Sequence, residues 1–183
     1  MRLFIAIPLS PEAVEALERL ARSLRFANDG LRWSSTETWH ITLQFLGETS
    51  VERYACLAQR LSAIKAPAVP VWLHGTGFFD HAGVFFAGVH VSPELRQLEK
   101  LITAATAQCG VDAEERPYHP HVTLARAKGD GKAGALRKLK DMAISEVEFP
   151  GFTAREFLLY ESFLDGRGAR HEIRDRFPLE PIS

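Results

Sequence analysis

Two short strings in this chain have the residue types and spacing for catalysis: His40-Ile41-Thr42-Leu43 and His121-Val122-Thr123-Leu124. Strand alternation puts each histidine and its threonine on one face, about 6–7 Å apart along the backbone, and turns the apolar partners to the other. An unperturbed imidazole titrates at about 6.5, so two of them can divide acid and base work near neutral pH. In-line displacement at phosphorus needs that division. One imidazole takes the proton of the attacking water, and the other protonates the leaving oxygen. Threonine hydroxyls then donate to the non-bridging oxygens. Each histidine would contribute roughly 10²–10⁴-fold, and the residue types favour phosphoester chemistry.

The elements that must position these strings form a repeat. FIAIPLSPE aligns with FAGVHVSPE, Ser10 to Ser92, and HITL aligns with HVTL, His40 to His121. Ser-Pro-Glu is a helix start in both copies: serine as cap, proline in the first turn, then an acid. Helical spacing follows through Val14, Leu17, Ala21 and Leu24, and through Leu95, Leu98, Leu101 and Ile102. Thr49 or Ser50 opens another helix, with Tyr54, Leu57, Ala58, Leu61 and Ile64 on its buried side. A lysine-rich helix is expected over about 134–143. VWLHGTGFF, SEVEFPGF and REFLLYESFL read as strands. Two copies are too few, and the period too long, for a solenoid. The expected fold is α+β, with two pseudo-symmetric lobes. Each has an antiparallel sheet with helices on its outer face, and a central cleft brings the histidines together. Residues 1–183 form one domain in this reading.

The composition narrows the function classes. The chain has 183 residues, 46% of them apolar, with 22 Lys and Arg against 23 Asp and Glu. A chain of this length buries roughly 70% of its unfolded surface and needs no metal or disulfide to fold. The near-zero charge excludes a broadly cationic binder. Between Arg126 and Lys140, however, six basic residues (Arg126, Lys128, Lys132, Arg137, Lys138, Lys140) meet one acid, Asp130. That run is either a solvated helix face or a track for an RNA backbone. Cys56 and Cys109 belong to no CxxC pair and are expected as reduced thiols in a reducing compartment. The N-terminal apolar run reads as a strand rather than a signal peptide, and no run reaches 18 apolar residues. The expected location is the cytoplasm.

WHITLQFLGE, RPYHPHVTLAR, the N-terminal LFIAI, the late LLYES and the terminal RFPL together resemble the 2H phosphoesterases, and within them the bacterial LigT-like proteins. The resemblance runs nearly end to end. It implies metal-independent opening of RNA 2′,3′-cyclic phosphates to 2′-phosphomonoesters, and some members also join or cleave 2′–5′ linkages. By position it assigns His40 as proton donor, His121 as proton acceptor, and Thr42, Thr123 and Arg126 as phosphate contacts. It implies no metal and no cofactor. The expected substrate is RNA or an oligonucleotide with a cyclic phosphate end, handled by a monomer with neither a membrane nor a protein partner.

Arg126 raises a parity problem. In a regular strand it shares the face of Val122 and Leu124, and it reaches the cleft only if the strand ends or bulges. The first motif has Gln44-Phe45 where the second has Ala125-Arg126, so the lobes are unequal. His171 stands where the family often has an aromatic. Trp33, Trp39 and Tyr118 flank the motifs as packing or base-stacking residues. His74, His81 and His90 have no repeated partners and read as surface residues. Two other functions fit parts of the pattern. One is a metal-dependent phosphohydrolase using His119, His121 and His40. The other is a non-catalytic RNA-end binder of the same fold.

Overall fold

The computed structural model describes residues 1–26, 28–129, 132–142, 147–165 and 168–181. In chain order the elements are β1 (Arg2–Pro8), α1 (Pro11–Leu24), β2 (Leu31–Trp33), a 3₁₀ turn (Thr36–Thr38), β3 (His40–Glu48), α2 (Val51–Ser62), β4 (Val69–Val71), β5 (Leu73–Phe79) and β6 (Val84–Val89). They continue with α3 (Pro93–Ala107), β7 (His121–Ala127), α4 (Lys132–Met142), β8 (Phe152–Ala154), β9 (Glu156–Asp165) and β10 (Gly168–Pro178).

The helix starts follow from the caps. The Ser10 hydroxyl accepts the Ala13 amide at 3.2 Å, and the Ser92 hydroxyl accepts the Leu95 amide at the same distance. Ser50, rather than Thr49, caps α2 by accepting the Arg53 amide. Leu57 and Leu61 are buried on that helix as the spacing requires, whereas Ile64 lies beyond its end at Ser62. The lysine-rich helix begins at Lys132 and is described to Met142. Asp130 and the start of the SEVEFPGF string, residues 145 and 146, lie outside the described residues. In the rest of that string only a single bridge, His74 to Glu148, and the first residue of β8 are paired.

Two four-stranded antiparallel sheets make the two lobes, in the orders β10-β9-β1-β3 and β2-β7-β6-β5. The repeat is not partitioned by halves of the chain. β5 of the first copy pairs with β6, which opens the second copy, and β9 of the second copy pairs with β1. Where the chain crosses, β4 and β8 pair with each other. β2, a strand that the sequence reading did not include, adds to the edge of β7. The main apolar core joins the inner faces of α1, α2, α3 and α4 to the strands through Leu17, Leu57, Leu98, Leu136 and Phe157.

The expectation of reduced cysteines is overturned. Cys56 of α2 and Cys109, just after α3, form a disulfide with Cα atoms 5.8 Å apart. The two helices pack side by side, and this brings residues separated by 53 positions within bonding reach. Spacing along the chain carries no trace of that contact, and the argument from the thiols to a reducing compartment falls with it. Among the described residues no helix is long and apolar enough to cross a membrane.

Candidate active site

The motif strands take their register from β1 and β6. Ala6 pairs with Thr42 and Pro8 with His40; in the other lobe Phe86 pairs with Thr123 and Gly88 with His121. Both strands then bulge at the same place. Ile5 pairs with Gln44 while Ala6 pairs with Thr42, which leaves Leu43 extra; Phe85 pairs with Ala125 and Phe86 with Thr123, which leaves Leu124 extra. A bulge shifts side-chain parity by one residue. His40, Thr42 and Phe45 therefore share one face, and His121, Thr123 and Arg126 share the matching face of the other lobe. This resolves the parity problem of Arg126. It also makes Phe45, which is 68% exposed, the counterpart of Arg126.

Each imidazole is held in the same way. His40 Nδ1–H donates to the Thr38 carbonyl at 2.7 Å, and His121 Nδ1–H donates to the His119 carbonyl at 2.8 Å. Both acceptors lie two residues upstream, where the chain turns into its strand. With Nδ1 committed, Nε2 is the nitrogen left for chemistry. His40 Nε2 accepts the Thr42 hydroxyl at 3.1 Å. The second threonine lies one pleat from His121 on the same face.

Burial holds both imidazoles neutral in the free protein. His40 is lowered from 6.5 to about 4, first by burial and then by repulsion from His171, with His121 adding a smaller share. His121 is also lowered, mainly by burial, with His119 and Arg126 contributing repulsion. The mutual repulsion of His40 and His121 sets the two motifs within electrostatic reach of each other. A site of this kind suits an anionic ligand, whose charge restores a proton to one imidazole.

The flanking residues divide differently from expectation. Trp39 is buried, and Tyr118 is half-buried with its hydroxyl donating to the Thr42 carbonyl at 3.2 Å. Trp33 donates Nε1–H to Asp29 at 2.7 Å. Trp39 is thus an interior packing residue, whereas Trp33 and Tyr118 are half-buried and held by these hydrogen bonds. His171 does reach it, with its ring 5.3 Å from that of His40 and edge-on. His119 is exposed and stands edge-on to Phe79 and Phe86. His74, His81 and His90 are exposed. Among the described residues no group of three or more His, Cys, Asp or Glu side chains converges as metal ligands do. Within the basic run, Arg126 joins the motif face, whereas Lys140 is spent on Asp80 at 2.6 Å. The rings of Phe4 and Phe86, absent from the sequence reading as site residues, lie directly on the two histidines. Their alignment in the first repeat string is the signal that marks them.

Comparison with known proteins agrees with this geometry. The family model of the 2′-5′ RNA ligase superfamily matches residues 8–162. The chain belongs to the 2′-5′ RNA ligase superfamily. Within the superfamily it is 34% identical to the RNA 2′,3′-cyclic phosphodiesterase of Thermus thermophilus over 98% of this chain and 90% of that protein. It is 32% identical to the protein of the same name from Geobacillus stearothermophilus over 96% of this chain, but spans only 56% of that protein's length. The crystal structure of E. coli LigT in apo form superposes with a TM-score of 0.80 at 27% identity, covering 98% of this chain and 97% of that one. LigT complexed with 3′-AMP gives 0.79 at the same identity, with 97% of each chain covered. The superfamily fold is the α+β, two-lobed architecture described above.

Proposed function

We propose that the protein is a hydrolase, an RNA 2′,3′-cyclic phosphodiesterase that opens cyclic phosphate ends to 2′-phosphomonoesters. The observation that carries this reading is the repeated unit of histidine, tethering carbonyl, threonine and bulge, present once on each wall of the cleft. His121 Nε2 takes a proton from water as the water oxygen bonds to phosphorus. The bond from phosphorus to the 3′ oxygen breaks on the opposite side, and that oxygen takes the proton of His40 Nε2. The product is a 2′-phosphomonoester and a free 3′ hydroxyl. Thr42, Thr123 and Arg126 hold the non-bridging oxygens, with the guanidinium supplying a charge-assisted donor. The exposed Phe45 ring, on the histidine face, offers a stacking surface to a base.

The Thermus and Geobacillus relatives support the substrate class, both being RNA 2′,3′-cyclic phosphodiesterases. E. coli LigT, of the same fold, has been crystallised in complex with a mononucleotide, 3′-AMP. The cytoplasm as compartment rests on an RNA substrate and no longer on the cysteines. The chain acts as a monomeric single domain, because both motifs of the site come from one chain. The same in-line geometry, run with a 5′ hydroxyl in place of water, gives 2′–5′ ligation.

The test is hydrolysis of an oligonucleotide with a 2′,3′-cyclic phosphate, with the product isomer identified, by wild type, His40→Ala and His121→Ala. Each substitution is expected to lower kcat by roughly 10²–10⁴-fold. Near-normal turnover in either variant defeats the two-imidazole mechanism. Activity lost on exhaustive chelation and restored by Zn²⁺ or Mn²⁺ defeats the metal-independent one.

A further inference from the structure

Phe4 and Phe86 are buried, at 3% and 6% exposure, yet neither belongs to the main apolar core. Their strand neighbours Leu3, Ile5, Phe85 and Ala87 point into that core, so the two rings face the other way, onto the motif walls. Each lies against the imidazole of its own lobe. The ring centroids are 4.7 Å apart for Phe4 and His40, and 5.2 Å apart for Phe86 and His121.

The surroundings of the two rings are not equal. Tyr160 occupies the register position opposite Phe4 and stacks on it at 5.1 Å and 13°. The corresponding position opposite Phe86 is Gly77. A Cβ at Gly77 would meet Phe86 Cζ at 2.5 Å and Cε2 at 2.8 Å. The φ of Gly77 is not among the positive values, so glycine is required there for space and not for backbone conformation. Phe79 closes the arrangement, stacked on Phe86 at 4.4 Å and edge-on to His121 at 5.0 Å.

The tether at Nδ1 fixes the height of an imidazole but leaves its swivel open, because χ2 of histidine is broad; at His40 the Thr42 hydroxyl on Nε2 is a second restraint. A ring packed against the imidazole removes that freedom. We propose that Phe4 and Phe86 are positioning residues, each the stop against which the imidazole of its lobe is set, and that Gly77 is the slot that seats Phe86. The inference rests on the reading of His40 and His121 as the acid and base. Displacement of a reacting group by about 1 Å can cost about 10²-fold in rate.

The test uses the full chain with Gly77→Ala, Phe86→Leu and the double variant. Gly77→Ala pushes a methyl into the ring, so kcat is expected to fall about 10- to 100-fold with KM within about twofold. Phe86→Leu is expected to do the same, and the double variant to be no worse than Phe86→Leu, since both act through one ring. Phe86→Leu also opens His121 to water and should raise its titration towards 6.5, followed by NMR. The ionisable groups around His121 are His119 and Arg126 on its own segment and His40 across from β3. From strands β5 and β6 the rings of Phe79 and Phe86 lie against His121, and Asp80 beyond β5 is paired with Lys140.

Independent, multiplying losses for the two substitutions, a KM effect without a kcat effect, or an unmoved His121 titration would each overturn the inference. If Gly77→Ala fails to fold, Phe86→Leu and the His121 titration decide it. Full activity in His121→Ala would instead sink the acid–base reading, and this inference with it. A normal loss there beside an unaffected Phe86→Leu sinks this inference alone.

Discussion

At the scale of the residue, the distinctive feature is a histidine kept neutral where the chemistry needs it charged. His40 has a folded-state value of about 4 against 6.5 in the unfolded chain. The unfolded chain therefore binds the proton first. The stabilising contribution of neutral His40 is complete above pH 6.5 and is lost as pH falls from 6.5 towards 4. It amounts to about 3 kcal/mol at the acid end. Urea midpoints measured across that window should fall with pH in the wild type and much less in His40→Phe; parallel curves would refute the assignment. An anion in the cleft acts in the opposite direction. Inorganic phosphate should raise the His40 titration, and by linkage phosphate should bind more tightly as pH falls from 7 to 5. His171→Phe keeps a ring at the same place and removes the nearest imidazole charge. It should raise the His40 titration, and an unchanged NMR titration would show that repulsion from His171 is negligible.

At the scale of the element, two bulges and two caps account for most of the positioning. Leu43 and Leu124 are the inserted residues that bring Phe45 and Arg126 onto the histidine face. Without them Arg126 would be a surface residue. Arg126→Ala should therefore raise KM by about 10- to 150-fold, the loss expected for one charged hydrogen bond to phosphate, with kcat less affected. Proportional loss of kcat at unchanged KM would place Arg126 elsewhere in the reaction. The caps differ in burial. Ser92 is 2% exposed, whereas Ser10 is more open. Ser10→Ala leaves an amide that water can reach and should cost about 1 kcal/mol. Ser92→Ala strands the Leu95 amide away from water and should cost about 2 kcal/mol. Equal costs in chemical denaturation would argue that the second cap is hydrated.

At the scale of the whole molecule, the lobes are tied by exchange and by cross-links. β2 and β5 complete the sheet of β7 and β6, and β9 and β10 complete that of β1 and β3, so neither copy of the repeat has a full sheet of its own. Thr106 of α3 donates to Gln44 of β3 at 2.8 Å in the interior, one residue from Phe45. The Cys56–Cys109 disulfide ties α2 to the end of α3. Closing a loop of 53 residues is worth about 4 kcal/mol by the chain-entropy relation. The Cys56→Ser, Cys109→Ser double variant should lose about that much stability in urea. An unchanged midpoint would mean that the bond does not form in solution.

How much of this was legible in the sequence differs from residue to residue. The histidines, the threonines and the serine caps repeat as strings, and strand or helix periodicity follows from the local pattern of apolar and polar residues. Those are properties of neighbours along the chain, and the sequence by itself determined the two motif strands, their histidine–threonine pairs and the family. Arg126 was legible as a conditional, because a bulge depends on which strand lies alongside. Phe4 and Phe86 align in the first repeat string, but that alignment does not say which rings they touch, and Gly77 lies outside it: its importance is the space beside Phe86 between β5 and β6, which no local pattern records. The disulfide, the burial of Trp39 and Tyr118, and the depressed titration of His40 are also contacts between segments distant in sequence. Only the tertiary structure decided these, because packing, burial and electrostatic repulsion act through distances in space.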